Sequence, residues 1–575
     1  MSTPVRRAAR LIGEHQKRVA DMVLRPPGRS DEDSTLVPEK SARDWGVALL
    51  LFVLSVLYLW PFRSASELFR DEGILLQGAA RILRGEVLYR DFFSFYTPGS
   101  YYWLAVLFKL FGTSYLVART RLAVYGGLFS LLTYFFARRV CGRWTAILAA
   151  YLFLIIGLPY RFEVLHNWDS MLTAYLALYC AVWWIQSARG PWAFATGTFA
   201  ALTFLIEQSK GVGLFIGLAA GLLVVFAKRA RPMAFRRSHL AMAVAGLVWP
   251  LVPTVAYFAA QHSVTPMISD WLWPVSHYSG ANRLPYGFIN TSQSGWEVLY
   301  GSGSWARRLV FILFTSPCFL LPALPFLALA LLAVHAVRMP SGDAHANASS
   351  YYTLVCAGGV GLVLSAVMTG RADLHHLVFV APPLFVPLAW VVEGRGFSLP
   401  GLAKWRAALV AYLLVFFTTF GMAFLVGGPL AAQFRLETRR GTLTLRRTDF
   451  VIPYLIRHVS PGEEIFVYPH QPLFCFLTAT YNPTSFEYLQ LGMHSEGQIG
   501  EAMAQLAAHP PRMVVWAPSF NTATIPQEWP ATPQRVLSRD TIRDFILARY
   551  RPCTTLASDK VRYVILIRNG LACPH

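Results

Sequence analysis

Long apolar stretches alternate with short polar ones along most of this chain. Apolar runs of about 18 to 25 residues recur from residue 45 to residue 427, the length a helix needs to cross a hydrocarbon core of roughly 30 Å. The predicted spans are 45–62, 116–136, 144–160, 170–186, 192–206, 212–227, 240–260, 309–337, 352–369, 377–392 and 407–427, about eleven in all. A further apolar run, 101–111, is too short to span. It is expected to lie along the interface, with Tyr101, Tyr102 and Trp103 at headgroup depth. The pattern predicts an α-helical polytopic membrane protein.

Polar sequence brackets this region. Residues 1–44 are basic and rich in turn formers, with no apolar core until Trp45, so they read as a disordered cytoplasmic tail rather than a signal peptide. After the membrane region, 45–427, residues 428–575 alternate strand-like runs (465–468, 513–516, 561–567) with helix-like ones (499–508, 541–550). That alternation predicts a C-terminal α/β domain. It carries no glycine-rich dinucleotide loop and no phosphate-binding loop, and a lid or docking domain is the simpler reading.

Charge orients the spans. The net charge is +20, but much of it sits between apolar runs, where Lys and Arg hold loops in the cytoplasm and meet anionic lipid. No nucleic-acid-binding motif accompanies it, so nucleic acid is not an expected partner. The basic leader, Arg138, Arg139 and Arg143, the run Lys228–Arg237, and Arg395, Lys404 and Arg406 all fall on one side if 101–111 does not cross. The C-terminal domain is then extracytoplasmic, in the periplasm of a cell with an inner membrane. Seven cysteines include no CxxC pair. Of the three in the C-terminal region (Cys475, Cys553 and Cys573), two could join in a disulfide outside the cytoplasm.

The same orientation gathers four polar sequences on the outer face: Asp71-Glu72, His166-Asn167-Trp168-Asp169, Glu207-Gln208-Ser209-Lys210, and Arg371-Ala372-Asp373-Leu374-His375-His376. The cytoplasmic loops show no comparable acidic clustering. Each piece has a plain structural reading. Asp71 and Glu72 could start a helix, Asp169 could cap one, Lys210 could snorkel, and Arg371 could be a solvated loop residue. Adjacent His375 and His376 cannot both face one ligand on a helix.

Together these residues fit chemistry at a membrane surface. A carboxylate there can take a proton from an acceptor hydroxyl. Asp71 and Glu72 could instead hold a divalent metal ion against phosphate oxygens. Lys210 and Arg371 would neutralise a departing phosphate. A donor whose leaving group is a lipid-linked phosphate meets these conditions and needs no nucleotide cofactor.

A longer motif carries a family resemblance. After the acidic pair comes Leu83-Arg84-Gly85-Glu86-Val87-Leu88-Tyr89-Arg90-Asp91-Phe92, then Tyr96-Thr97-Pro98-Gly99-Ser100-Tyr101-Tyr102-Trp103, Phe111-Gly112-Thr113-Ser114 and Ala118-Arg119. This resembles the GT-C superfamily of polyprenyl-phosphate-sugar-dependent glycosyltransferases, in the bacterial branch near protein O-mannosyltransferases and lipid A aminoarabinose transferases. The resemblance is densest over residues 45–215, with a weaker patch at 370–383. It implies a polyprenyl-phosphate-sugar donor and a glycan, lipid or protein acceptor. It also implies Asp71, beside Glu72, as base or metal residue, and Asp169 as the acidic residue of the second outer loop. Many relatives read His-Pro-Pro or His-Lys-Pro before the interfacial helix; Tyr96-Thr97-Pro98-Gly99 lacks that histidine or lysine. Tyr96, Lys210, Arg371 and His375 complete the substrate-binding candidates.

A transporter or lipid flippase is the rival class. It would place ionisable residues near the membrane midplane on interrupted helices, often in repeated halves. Pro317, Pro322, Pro325, Pro382, Pro383 and Pro387 fit it; the one-sided charge clustering and the lack of a visible repeat do not.

Overall fold

In the computed structural model, residues 41–227, 237–278, 283–288, 297–298, 300–338, 343–393, 402–529, 531–532 and 539–574 are described. The expected tail over 1–40, the basic run from Lys228 to Arg236, and Arg395 lie outside them.

The membrane part begins with α1 (Ala42–Leu59). Ser41 caps it by accepting from the Asp44 amide at 3.2 Å. Beyond its far end lie a two-residue strand, β1 (Ala65–Ser66), and α2 (Glu72–Leu83). Then follow α3 (Gly99–Phe111), α4 (Tyr115–Arg138), α5 (Arg143–Ile156), α6 (His166–Ser187), α7 (Gly190–Ile206) and α8 (Gln208–Ala227). The later helices are α9 (Arg237–Ala260), α10 (Val264–Trp273), α11 (Trp305–Arg338), α12 (Asp343–Met368), α13 (Phe385–Val392) and α14 (Leu402–Gly427).

Ten of the eleven apolar segments expected from the sequence lie mainly on one helix each, whereas 377–392 is broken just before Pro382, its parts 374–380 and 382–392 bent by 72°. Among the described residues, six helices are long and apolar enough to cross a membrane alone, and eight if each of two bent pairs counts as one span. The α5 and α7 helices are shorter, and α6 opens on a polar turn, His166-Asn167-Trp168-Asp169. The run 101–111 forms α3, which at about 20 Å is too short to cross. It meets α4 at 113°, so the chain turns sharply at Gly112 instead of continuing one helix.

Charge marks the two ends. At one, Asp44 Oδ1 accepts from Arg138 Nε at 3.1 Å, Arg143 Nε at 3.2 Å and Tyr134 at 2.7 Å. Asp71 lies past the other end of α1, so the basic cluster and Asp71 occupy opposite ends of the bundle, in line with the charge argument.

The C-terminal part starts with a hairpin, β2 (Phe434–Thr438) and β3 (Gly441–Leu445), and α15 (Val451–His458). Next come β4 (Ile465–Tyr468), α16 (Pro472–Thr478), α17 (Glu496–Ala508), β5 (Met513–Trp516), α18 (Thr541–Arg549), β6 (Tyr550–Ser558) and β7 (Val561–Arg568). The last four strands form a sheet ordered β4-β5-β7-β6, with β4 and β5 parallel and the other pairs antiparallel. The expected strands at 465–468, 513–516 and 561–567, and both expected helices, are present. Cys553 and Cys573 are disulfide-bonded, while Cys475 is a buried free thiol.

The two parts are joined by more than their covalent link. β1 pairs in parallel with β3, Ala65 opposite Thr444 and Ser66 opposite Leu445. α2 lies against α16 so closely that a Cβ on Gly73 would stand 2.1 Å from the Leu473 backbone nitrogen. Only glycine permits that approach. Gln77 donates to the Thr480 carbonyl at 3.0 Å, Arg81 to the Glu487 carboxylate at 2.8 Å, and Gln471 to the Leu68 carbonyl at 3.1 Å. Leu68 itself adopts a left-handed conformation, φ 53°, unusual for a residue with a branched side chain.

Candidate active site

The seam between these parts opens as a cleft of about 330 Å³. The first outer loop contributes Phe69, Arg70 and Asp71; the loop before α6 contributes Arg161 and Glu163; the C-terminal part contributes His470, Trp529 and Tyr563. Asp71 stands at the start of α2, yet its side chain makes no capping bond to that helix. The carboxylate is about half exposed (52%) and lies 3.5 Å from His470 Nε2.

Glu72 has the opposite fate. It is fully buried, Oε1 accepting from the Val164 amide at 2.9 Å and Oε2 from the Tyr115 hydroxyl at 2.7 Å. Arg119 Nε lies 3.6 Å away, and this guanidinium also donates to the Ala65 and Phe162 carbonyls. Glu72 therefore ties α2, α4 and the loop before α6 together, which corrects its expected catalytic and metal-binding roles. The donor set for a divalent metal does not fit. Both Glu72 oxygens are committed inside the protein, and among the described residues no three His, Cys, Asp or Glu side chains converge.

Asp169 is likewise buried, accepting from Arg121 Nη1 at 2.9 Å and the Ser100 hydroxyl at 2.6 Å. It fastens α3, α4 and α6 and does not line the cleft. Lys210 is buried with its ammonium on Glu207 at 2.8 Å, the Ser170 hydroxyl at 2.8 Å and the Asn167 carbonyl at 3.0 Å. Three partners saturate its three donors, so it is not the phosphate clamp the sequence suggested. Arg371 is half-buried, Nε 3.8 Å from Asp373. The two histidines diverge as expected: His375 stacks on Tyr160 and meets its hydroxyl at 2.9 Å, while His376 meets Asp373 at 2.6 Å. Tyr96 packs against His166 with ring centroids 4.0 Å apart and the planes tilted by 35°.

Direct contacts join these sequences: Glu72 accepts from the Val164 amide at 2.9 Å, Lys210 donates to the Asn167 carbonyl at 3.0 Å, and His375 meets the Tyr160 hydroxyl at 2.9 Å. All four outer polar sequences therefore do converge, although only Asp71 among the expected carboxylates faces the cleft. Arg161, Glu163 and His470 were not singled out from the sequence. Arg161 and Glu163 were discoverable as two more charges in the second outer loop, whereas nothing local distinguishes His470.

Burial lifts the Glu163 carboxyl to about 7, against the attraction of Arg161 at 2.6 Å, with Glu72 and Asp71 adding to the rise. Its proton is thus held more tightly in the folded protein than at the ordinary 4.5. Stability from this group is fully present below pH 4.5 and is lost as pH rises through about 7. The loss is at most about 3 kcal/mol. Glu163→Gln is expected to flatten the fall in thermal stability of the detergent-solubilised protein between those pH values; an unchanged fall would show that Glu163 is not its source.

No family model and no curated protein matches the chain. Solved structures do. The crystal structure of ArnT from Cupriavidus metallidurans bound to undecaprenyl phosphate superposes with a TM-score of 0.55, covering 93% of this chain and 100% of that one at 15% identity. The fold is GT-C. An archaeal oligosaccharyltransferase, AglB from Archaeoglobus fulgidus in complex with an inhibitory peptide and a dolichol-phosphate, aligns over 86% of this chain and 72% of its own, with a TM-score of 0.47 and 12% identity. Within this fold, the cleft at Asp71 is formed jointly by the first two outer loops and the C-terminal part.

Proposed function

We propose that the chain is an integral-membrane glycosyltransferase that moves a sugar from a polyprenyl-phosphate-linked donor to an acceptor outside the cytoplasm. The observation that carries this reading is an uncapped, half-exposed Asp71 in a cleft at the end of a membrane bundle, beside Arg161. The GT-C fold supports it, because the ArnT structure that shares the fold was solved with undecaprenyl phosphate bound. The Cys553–Cys573 disulfide supports placing the cleft outside the cytoplasm, at the outer face of the inner membrane, where disulfides persist.

In the proposed reaction, Asp71 accepts the acceptor's hydroxyl proton as its oxygen attacks the anomeric carbon. The bond from that carbon to the phosphate oxygen breaks, its electron pair leaving with polyprenyl phosphate, and the configuration inverts. Arg161 and Arg371 stabilise the phosphate, a task suited to guanidinium groups. The acceptor is a glycan, a lipid or a protein.

Mass spectrometry of envelope glycans and glycolipids from cells with and without the protein tests this. The expected result is one class of product lacking a single sugar, restored by the wild-type gene. An unaltered glycan and glycolipid profile would overturn the reading.

A further inference from the structure

His470 comes from the C-terminal part yet sits against the residue proposed as base. Its side chain is only 7% exposed and stacks on Tyr488, ring centroids 4.3 Å apart. Neither ring nitrogen has a hydrogen-bond partner among the described residues, although Nε2 faces Asp71 Oδ1 at 3.5 Å across the cleft wall. A buried polar group without a partner is costly, and such groups persist where they serve a ligand or a reaction.

The two residues are also held in register. Gly73, two positions beyond Asp71, touches the backbone of Leu473, three positions beyond His470. Gln471, next to His470, holds the Leu68 carbonyl on the other side of Asp71. Asp71 and His470 therefore cannot drift apart without breaking both contacts.

Resting on the glycosyltransferase reading, we infer that His470 is a positioning residue for Asp71, its neutral Nε2–H holding Oδ1 so that Oδ2 alone faces the acceptor hydroxyl. Half exposed and uncapped, the Asp71 carboxylate would otherwise rotate freely. One N–H aimed at one oxygen removes that freedom, and the other oxygen then takes the acceptor proton. The 3.5 Å separation closes to a hydrogen bond when the acceptor fills the cleft and expels water, as happens at many sites that are loose when empty. Burial, chiefly, holds the imidazole well below its usual range, at about 4, so it stays a neutral donor through the physiological range and does not compete for the proton.

The test uses full-length protein in proteoliposomes, supplied with the polyprenyl-phosphate sugar and the acceptor that the glycan comparison identifies. His470→Phe keeps the stack on Tyr488 and removes both nitrogens; His470→Leu removes the nitrogens without the ring; His470→Gln retains an N–H donor. The two donor-free variants are expected to lose about 10- to 100-fold in kcat, as a loosely oriented base should. Both KM values should stay within about threefold of wild type, and Gln should recover most of kcat. Thermal unfolding identifies any variant that misfolds, and either donor-free variant suffices for the comparison. Wild-type kcat in a folded donor-free variant would overturn the inference, as would equal losses in Gln and Phe with a raised acceptor KM. If the wild-type protein transfers no sugar, the glycosyltransferase reading itself fails, a different and separately visible result.

Discussion

Asp71→Asn protein is expected to fold and insert normally yet transfer sugar about 10²- to 10⁴-fold more slowly, the range lost when a general base is removed. Asparagine keeps the shape of the side chain, so the contacts around it survive. Asp71 caps nothing, and half of it faces the cleft, so structure should lose little. The fall should appear in kcat and kcat/KM together, with donor KM nearly unchanged, because the proton is taken only as the transition state forms. The measurement is sugar transfer in proteoliposomes, paired with thermal unfolding of the same preparation. Full transfer by a folded Asp71→Asn protein would remove the carboxylate from the mechanism.

One residue further along, the expected outcome reverses. Arg119→Met leaves the Glu72 carboxylate buried with its cation gone, a change that costs about 3–5 kcal/mol. The loss also strands the Ala65 and Phe162 carbonyls that the guanidinium serves. Little folded protein should accumulate, and what remains should unfold at markedly lower temperature. Adding Glu72→Gln should restore part of that stability, because a neutral amide tolerates burial where an unpaired charge does not. Normal accumulation of Arg119→Met with normal unfolding would mean that Glu72 is not held by this pair.

Adjacent Asp71 and Glu72 thus differ in what removing a charge does: activity falls in one case and folding in the other. Sequence alone could not separate them. Two neighbours at a helix start point about 100° apart, and which one turns inward depends on what packs there. Here it is α4, carrying Tyr115 and Arg119, that takes Glu72. For Lys210 the deciding signal lies in the local sequence. Glu207 precedes it by three residues, the spacing of a helical ion pair, and that pair removes it from phosphate binding. The helices themselves were legible because hydropathy is a local property and each span records it independently. Three of the four strands of the C-terminal sheet were legible for the same reason; β6 was not, because it is a largely uncovered edge strand with no apolar run. His470 was not, since its meaning arises from a contact between segments about 400 residues apart, which no window along the chain contains. The two-residue strand β1 is too short to leave any pattern.

That strand bears on how such a protein can be recombined. With β1 laid beside β3 and Gly73 seated on Leu473, the C-terminal part is no detachable appendage. A chimera that exchanges residues 428–575 for those of a relative would bring a foreign strand to Ala65 and a foreign helix to Gly73. The unit of inheritance is therefore discontinuous: the tail together with residues 65–81, although hundreds of residues of membrane helix lie between them in the gene. Grafts that move both pieces should yield folded protein, and grafts that cut at residue 428 should not.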